Sequence, residues 1–404
     1  MIRKIDNTYD SVDGKTKLHA AIWLPDAAKF KKPVAILQIC HGMIEFIDRY
    51  DNLGKYMAEQ GIIVVGNDHL GHGLSAADDE DLGYFKDEEP EYALIEDAYR
   101  LTRIMKKRYP DIPYVIMGHS MGSFVVRNYI CKYGNEVDAC IIMGTGHQPI
   151  AVVRAGLRLT ETIGALKGER YRSKRIADMM FGTYNKQIED VRTANDWLTR
   201  DEAVVDAYNA NKYNTFLFTV NGYKGLLKMI LNCRKPVNME QIPSSLPMLM
   251  MSGMEDPVGG YGKEVAKAYE CYHGILDNVE LRLYEDCRHE LTNELNKEDV
   301  YSDIYEWIIE IIDKMNNSDA FDFDNAFAEA ASVEEAAKMQ ADKKDAEETD
   351  EKKDAADMAA DKEQADDKKP VESDVKEKVV ISEITENGIE PEVEIELTVV
   401  EDEE

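Results

Sequence analysis

One short stretch constrains this chain more than any other. It reads Tyr114-Val115-Ile116-Met117-Gly118-His119-Ser120-Met121-Gly122, an apolar strand pattern running into Gly-x-Ser-x-Gly, with a helical pattern over residues 123–132 directly after it. Glycines at 118 and 122 allow a strand-to-helix turn too sharp for larger side chains, and such a turn lifts the Ser120 hydroxyl above the sheet. The helix beginning behind the serine supplies the positive end of its dipole and free N–H groups. Short glycine motifs recur by chance, but between a strand and a helix this one specifies a parallel strand with its crossover.

The surrounding pattern agrees. Strand-type runs occur at 18–23, 34–40, 62–67, 114–117 and 139–144, alternating with helical patterns at 53–60, 92–108 and 123–132. Continuous apolar strands separated by helices indicate a mostly parallel sheet covered on both faces. The first two strands, turning at Asp13-Gly14, read as an antiparallel hairpin at the sheet edge. After Gly146 the alternation stops, and residues 148–238 read as helices with polar joints. Such an insert, beyond the carboxyl end of a strand, lies where a cap covers the ligand crevice of an open α/β sheet. Strands resume at 246–252 and 279–284, before a helix with Val300, Ile304, Ile308, Ile311, Ile312 and Met315 on one face.

Composition then divides the chain. Its 404 residues hold 48 Lys+Arg against 79 Asp+Glu, a formal charge of −31. Residues 318–404 contain 31 acids and 10 lysines, no aromatic after Phe327, and no Arg, His, Cys or Trp. The expectation is therefore an α/β domain over 1–316, with a helical cap at about 148–238, and an acidic low-complexity tail over 317–404. The tail is too polar to offset its ordering entropy and is expected to be disordered. Its end, Val393-Glu394-Ile395-Glu396-Leu397-Thr398-Val399, alternates like a strand with an acidic face; a short docking element and a plain solvated end both fit.

Several classes are disfavoured. A pI near 4.7 opposes nonspecific nucleic-acid binding. No apolar run approaches the roughly 18 residues of a membrane span, so stable insertion is not expected. No signal peptide is visible at the start. Six cysteines are scattered without a paired spacing, which reads as buried free thiols in a reducing cytoplasm. No ligand cluster suggests a metal, and no cofactor is expected.

A serine hydroxyl becomes a nucleophile only when a base takes its proton. Of eight histidines, His19 lies in an edge strand and His119 inside the turn beside Ser120. His41, His69 and His72 occupy loops ahead of it, His147 opens the insert, and His273 lies in a polar helix-to-loop region. His289 alone follows the last strand, where a loop can deliver an imidazole to Ser120. A carboxylate must orient that imidazole. Asp256, just past a strand in a glycine-bracketed loop, is the choice, with the neighbouring Glu255 left open. Oxyanion donors are expected from the Met121 N–H and from the loop His41-Gly42-Met43, at the Met43 N–H.

Four blocks resemble the α/β-hydrolases of the monoacylglycerol lipase, lysophospholipase and serine-aminopeptidase-like group. They are His41-Gly42-Met43-Ile44-Glu45 with Arg49-Tyr50; Asp68-His69-Leu70-Gly71-His72-Gly73-Leu74-Ser75; the turn Gly118-His119-Ser120-Met121-Gly122; and Arg288-His289-Glu290-Leu291 with Glu294. Asp196-Trp197-Leu198-Thr199-Arg200-Asp201 also looks like a block of bacterial members. The resemblance covers about residues 10–315. It implies a Ser120–His289–Asp256 triad, in the chain order this fold uses, with the Met43 and Met121 amides as oxyanion donors. Leu70 departs from it, since relatives often carry Arg there, and the tail has no counterpart.

The expected chemistry is hydrolysis of monoacylglycerol- or lysophospholipid-type esters through an acyl-enzyme. An aminopeptidase on the same triad is the alternative; it needs acids near the cleft for a free amine, with Glu161 and Asp196 as candidates. A binding or scaffolding role for the tail is the other. Between Ile150 and Arg175 the bases Arg154, Arg158, Lys167, Arg170, Arg172, Lys174 and Arg175 face only Glu161 and Glu169, a balance of +5. Such a cap suits transient contact with anionic head groups, or else pairs with the acidic core. Val152, Val153, Leu157, Leu159, Ile163, Met179, Met180 and Phe181 read as acyl-channel lining or as cap packing.

Overall fold

Five strands carry apolar side chains on both faces, and each is buried from end to end: β3 (Ile36–Cys40), β4 (Ile63–Asn67), β5 (Tyr114–His119), β6 (Ala139–Met143) and β7 (Met248–Gly253). In the computed structural model, which describes residues 1–317, they form the centre of an eight-stranded sheet. β1 (Arg3–Asp10) and β2 (Lys17–Leu24) make the expected antiparallel hairpin at one edge, and β8 (Val279–Tyr284) closes the other. The order is β1-β2-β4-β3-β5-β6-β7-β8, parallel from β4 to β8. Strand ends differ from the sequence pattern by a residue or two. The tail and its alternating end lie outside the described residues.

One apolar layer joins a sheet face to the helices Pro90–Arg108, Met121–Tyr133, Val220–Asn232 and Lys263–His273. The opposite layer joins the other face to Asp51–Glu59 and to a last helix over 297–317. That helix buries Val300, Ile304, Ile308, Ile311 and Ile312, as its periodicity requires. Leu70 is buried in the first layer.

The insert is helical: Ile150–Lys167, Lys174–Phe181, Glu202–Ala210, Val220–Asn232 and Pro236–Met239. Ser173, Asp201 and Thr219 cap three of these helices by accepting N–H groups of their first turns. Val220–Asn232 falls within the span read as cap, yet Val220, Tyr223 and Met229 are fully buried in the main core, so this helix belongs to the sheet-covering layer.

β3 pairs with β4 on one side and β5 on the other, so the winding reverses there and leaves a crevice at the strands' carboxyl ends. Register lines up what emerges into it. Cys40 pairs with Gly118, His119 with Met143, Met143 with Met251, and Gly253 with Tyr284. The loops bearing residues 41–43, Ser120, Asp256 and His289 thus leave one edge of the sheet as neighbours.

Candidate active site

Ser120 holds φ 53° and ψ −118°, a strained conformation for a residue with a side chain. Its N–H donates to the Met143 carbonyl (3.0 Å), and the Ser123 hydroxyl donates to its carbonyl (2.5 Å). The flanking glycines are required by space. A Cβ on Gly122 would collide with the Cys40 and His41 carbonyls, and one on Gly118 with the Gly122 carbonyl. Ser120 is half-buried at the start of the helix Met121–Tyr133.

Asp256 is fully buried in the loop after β7. Its Oδ1 accepts the Val258 N–H (2.8 Å) and faces His289 Nδ1 at 3.0 Å, while Ser252 Oγ donates to Oδ2 at 3.4 Å. A carboxylate can only accept, so Nδ1 is the donor in this contact and Nε2 is the nitrogen turned away from Asp256. Among the described residues Nε2 has no hydrogen-bond partner. Glu255 is on the outside, 48% exposed and 3.6 Å from Arg288. Space around the imidazole is tight: a Cβ on Gly144 would meet His289 Cε1 at 3.1 Å.

The loop after β3 lies against the turn, since a Cβ on Gly42 would stand 3.0 Å from Ser120 Cβ. Neither the Met43 nor the Met121 N–H is taken by a protein acceptor among the described residues. Tyr208 Oη (3.0 Å) and Asn214 Nδ2 (2.8 Å), both from the insert, donate to the Ile44 carbonyl and fix the loop from above.

Beneath these groups lies a buried charge network to which no role was assigned above. His119 Nδ1 faces Glu45 Oε1 (3.1 Å) and Nε2 faces the His289 carbonyl (3.2 Å). Both partners are acceptors only, so both ring nitrogens hold protons and His119 is an imidazolium. Burial pulls its pKa down, but the hydrogen bond and charge of Glu45, then the charge of Glu290, outweigh this and raise it. Glu45 also accepts from Arg49 (2.9 Å), Tyr50 (3.0 Å) and the Gly42 N–H. Burial opposes its ionisation, yet His119 and Arg49 hold its pKa well below the usual range. Arg49 continues to Glu290 by two bonds (2.5 and 2.6 Å), so two cations balance two anions. Two signals were available: Glu45 and Arg49 are four apart, and Glu45, Arg49, His119 and Glu290 all fall within the blocks that carry the family resemblance.

His19 pairs with Asp68 (3.0 Å), and His273 stacks on Tyr269. His147 accepts from Arg234 (2.7 Å). His41, in the loop after β3, clusters with His69 and His72, and burial lowers all three pKa values, His72 to about 3. Among the described residues no group of side chains could hold a metal ion.

The family model described as serine aminopeptidase, S33, matches residues 31–296. A monoacylglycerol lipase of Mycolicibacterium smegmatis is 24% identical over 73% of this chain and 94% of its own length. A phospholipase of Bacillus subtilis is 26% identical over 68% of this chain and 94% of its own. Among solved structures, a thermostable carboxyl esterase from Bacillus coagulans in complex with glycerol superposes with a TM-score of 0.71 at 27% identity, covering 76% of this chain and 99% of that one.

Proposed function

The chain belongs to the serine aminopeptidase S33 family of α/β-hydrolases, and we propose that it is a serine carboxylesterase cleaving acyl esters of monoacylglycerol or lysophospholipid type. The observation that carries this reading is the buried Asp256–His289 contact of 3.0 Å, with Nε2 unpartnered beside the strained Ser120 turn.

In this mechanism His289 Nε2 takes the Ser120 proton as Oγ attacks the ester carbonyl. The Met43 and Met121 N–H groups, free of other acceptors, receive the oxyanion. Asp256 holds the imidazole in the required tautomer and stabilises its cation. His289 then gives the proton to the departing alcohol, and water, activated in the same way, releases the acid and regenerates Ser120. Names of relatives support the substrate class: a monoacylglycerol lipase and a phospholipase in sequence, a carboxyl esterase in structure.

Ester cleavage is favoured over aminopeptidase action by the two candidate acids. Glu161 is exposed on the insert. Asp196 is already engaged by the Arg192 N–H (2.5 Å), the Thr193 N–H (3.0 Å) and Thr193 Oγ1 (2.6 Å), leaving little of it for a substrate amine.

The proposal includes transient lipid contact through the cap. Arg170 pairs with Asp81, Lys174 with Asp178, and Arg172 binds loop carbonyls. Arg154, Arg158, Lys167 and Arg175 make no ion pair among the described residues, and Ile150, Val152, Leu166 and Met179 are exposed near them in sequence. Val152 and Met179, at 62% and 45% exposed, are thus better placed for a surface than for a channel. A reducing compartment suits the six free thiols. No helix among the described residues is long and apolar enough to cross a membrane. A scaffolding role for residues 318–404 is a separate proposal, tested by deleting them and comparing activity with partner recovery.

The decisive assay is a panel of monoacylglycerols, lysophospholipids, aryl esters and amino-acid naphthylamides, run with wild type and Ser120→Ala. The expected result is ester turnover that vanishes in the variant. Full turnover in Ser120→Ala would sink the mechanism, and naphthylamide release alone would promote the peptidase.

A further inference from the structure

The loop bearing His289 leaves β8 at Tyr284 and re-enters the core at Leu291, and much of what holds it comes from the insert. The His289 N–H donates to the Trp197 carbonyl (3.4 Å) and the Glu290 N–H to the Leu198 carbonyl (2.7 Å). Arg288 Nη1 donates to the carbonyls of Asp196 (2.8 Å) and Thr199 (3.3 Å), and Thr199 Oγ1 donates to the Asn293 carbonyl (2.9 Å). The Trp197 ring faces the imidazole with centroids 5.0 Å apart.

One carboxylate ties the two segments together. Glu294 is 0% exposed. Its Oε1 accepts the backbone N–H of Arg288 (2.8 Å) and of Arg200 (3.2 Å). Its Oε2 accepts Arg200 Nε–H (2.9 Å) and the Leu295 N–H (3.1 Å). Four donors converge on one buried anion, a geometry that fixes position as well as charge. The residues immediately before and after the base are therefore both anchored to residues 196–200.

We propose that Glu294 is a positioning residue for His289, acting with Arg200 to lock residues 288–290 onto residues 196–200. This part of the insert then belongs to the catalytic framework and does not lift away as a lid. Any motion carrying residues 196–200 outward carries the imidazole with it and leaves Ser120 without its base. The proposal rests on the esterase reading above.

The test uses the full chain with Glu294→Gln, Arg200→Ala and Arg200→Lys, assayed on a short, water-soluble aryl ester. A fluorophosphonate probe reports Ser120 reactivity in parallel. The glutamine places an amide against donors, and the alanine removes the cap partner. Expected is a fall of about 10- to 100-fold in both kcat and labelling rate, with KM changed less than about threefold, because a misplaced base loses orientation and not binding. Arg200→Lys should restore part of the rate. If Glu294→Gln does not fold, the Arg200 pair decides alone, since Arg200 is 26% exposed; a melting curve of each variant separates loss of the fold from misplacement of the base. Unchanged kcat and labelling in Arg200→Ala, or a loss confined to KM, would overturn the proposal. Turnover retained by Ser120→Ala in the same assay would instead overturn the esterase reading.

Discussion

Asp97 lies fully buried in the helix Pro90–Arg108, where its carboxylate takes the Val12 N–H (2.7 Å) and the Ser11 hydroxyl (2.8 Å) and pins the first hairpin's turn. Burial raises its pKa to about 7, against the pull of those two hydrogen bonds. An acid whose folded pKa exceeds its unfolded value contributes stability below the unfolded pKa, near 3.8, and loses it as pH rises through about 7. Each unit of that difference is worth about 1.4 kcal/mol. Asp97→Asn keeps the shape without the charge, so its Tm should exceed wild type at pH 8, with the gap closing towards pH 5. A gap independent of pH would contradict this. His119 shows the opposite balance, and its charge was not legible in the sequence. The turn motif marks position 119, but its partners come from residues 45 and 289, brought together only by the fold.

The strands were legible because a parallel strand buried on both faces is a continuous apolar run, and β3 to β7 are buried throughout. Candidate residues at strand ends were legible for the same reason, since register turns the order of strands into a row of neighbouring loops. Asp256 and Glu255 were not separable by chemistry; burial and the approach to His289 distinguish them. Two features escaped. Val220–Asn232 is helical whether it caps or covers the sheet, and only its packing assigns it to the core. The pairing of residues 196–200 with 288–294 joins segments about 90 positions apart, and no periodicity records such a contact.

Taken whole, the −31 of the chain is unevenly spread: residues 318–404, outside the described part, hold −21 of it. The cap meanwhile offers Arg154, Arg158, Lys167 and Arg175 without an ion pair among the described residues. Arg154 and Arg158 are four apart on one helix and share a face. Flotation with anionic vesicles of phosphatidylglycerol should therefore exceed that with phosphatidylcholine at low salt. It should fall in Arg154→Glu/Arg158→Glu and in about 0.15 M salt, where screening shortens to about 8 Å. Equal recovery on both lipids would remove lipid contact from the proposal. The claim on which everything else depends is that Ser120 is the activated nucleophile. Peptide mapping after fluorophosphonate labelling tests it most directly. The adduct should fall on Ser120 alone, slow sharply in His289→Ala and disappear in Ser120→Ala; an adduct elsewhere, or equal labelling of Ser120→Ala, would contradict it.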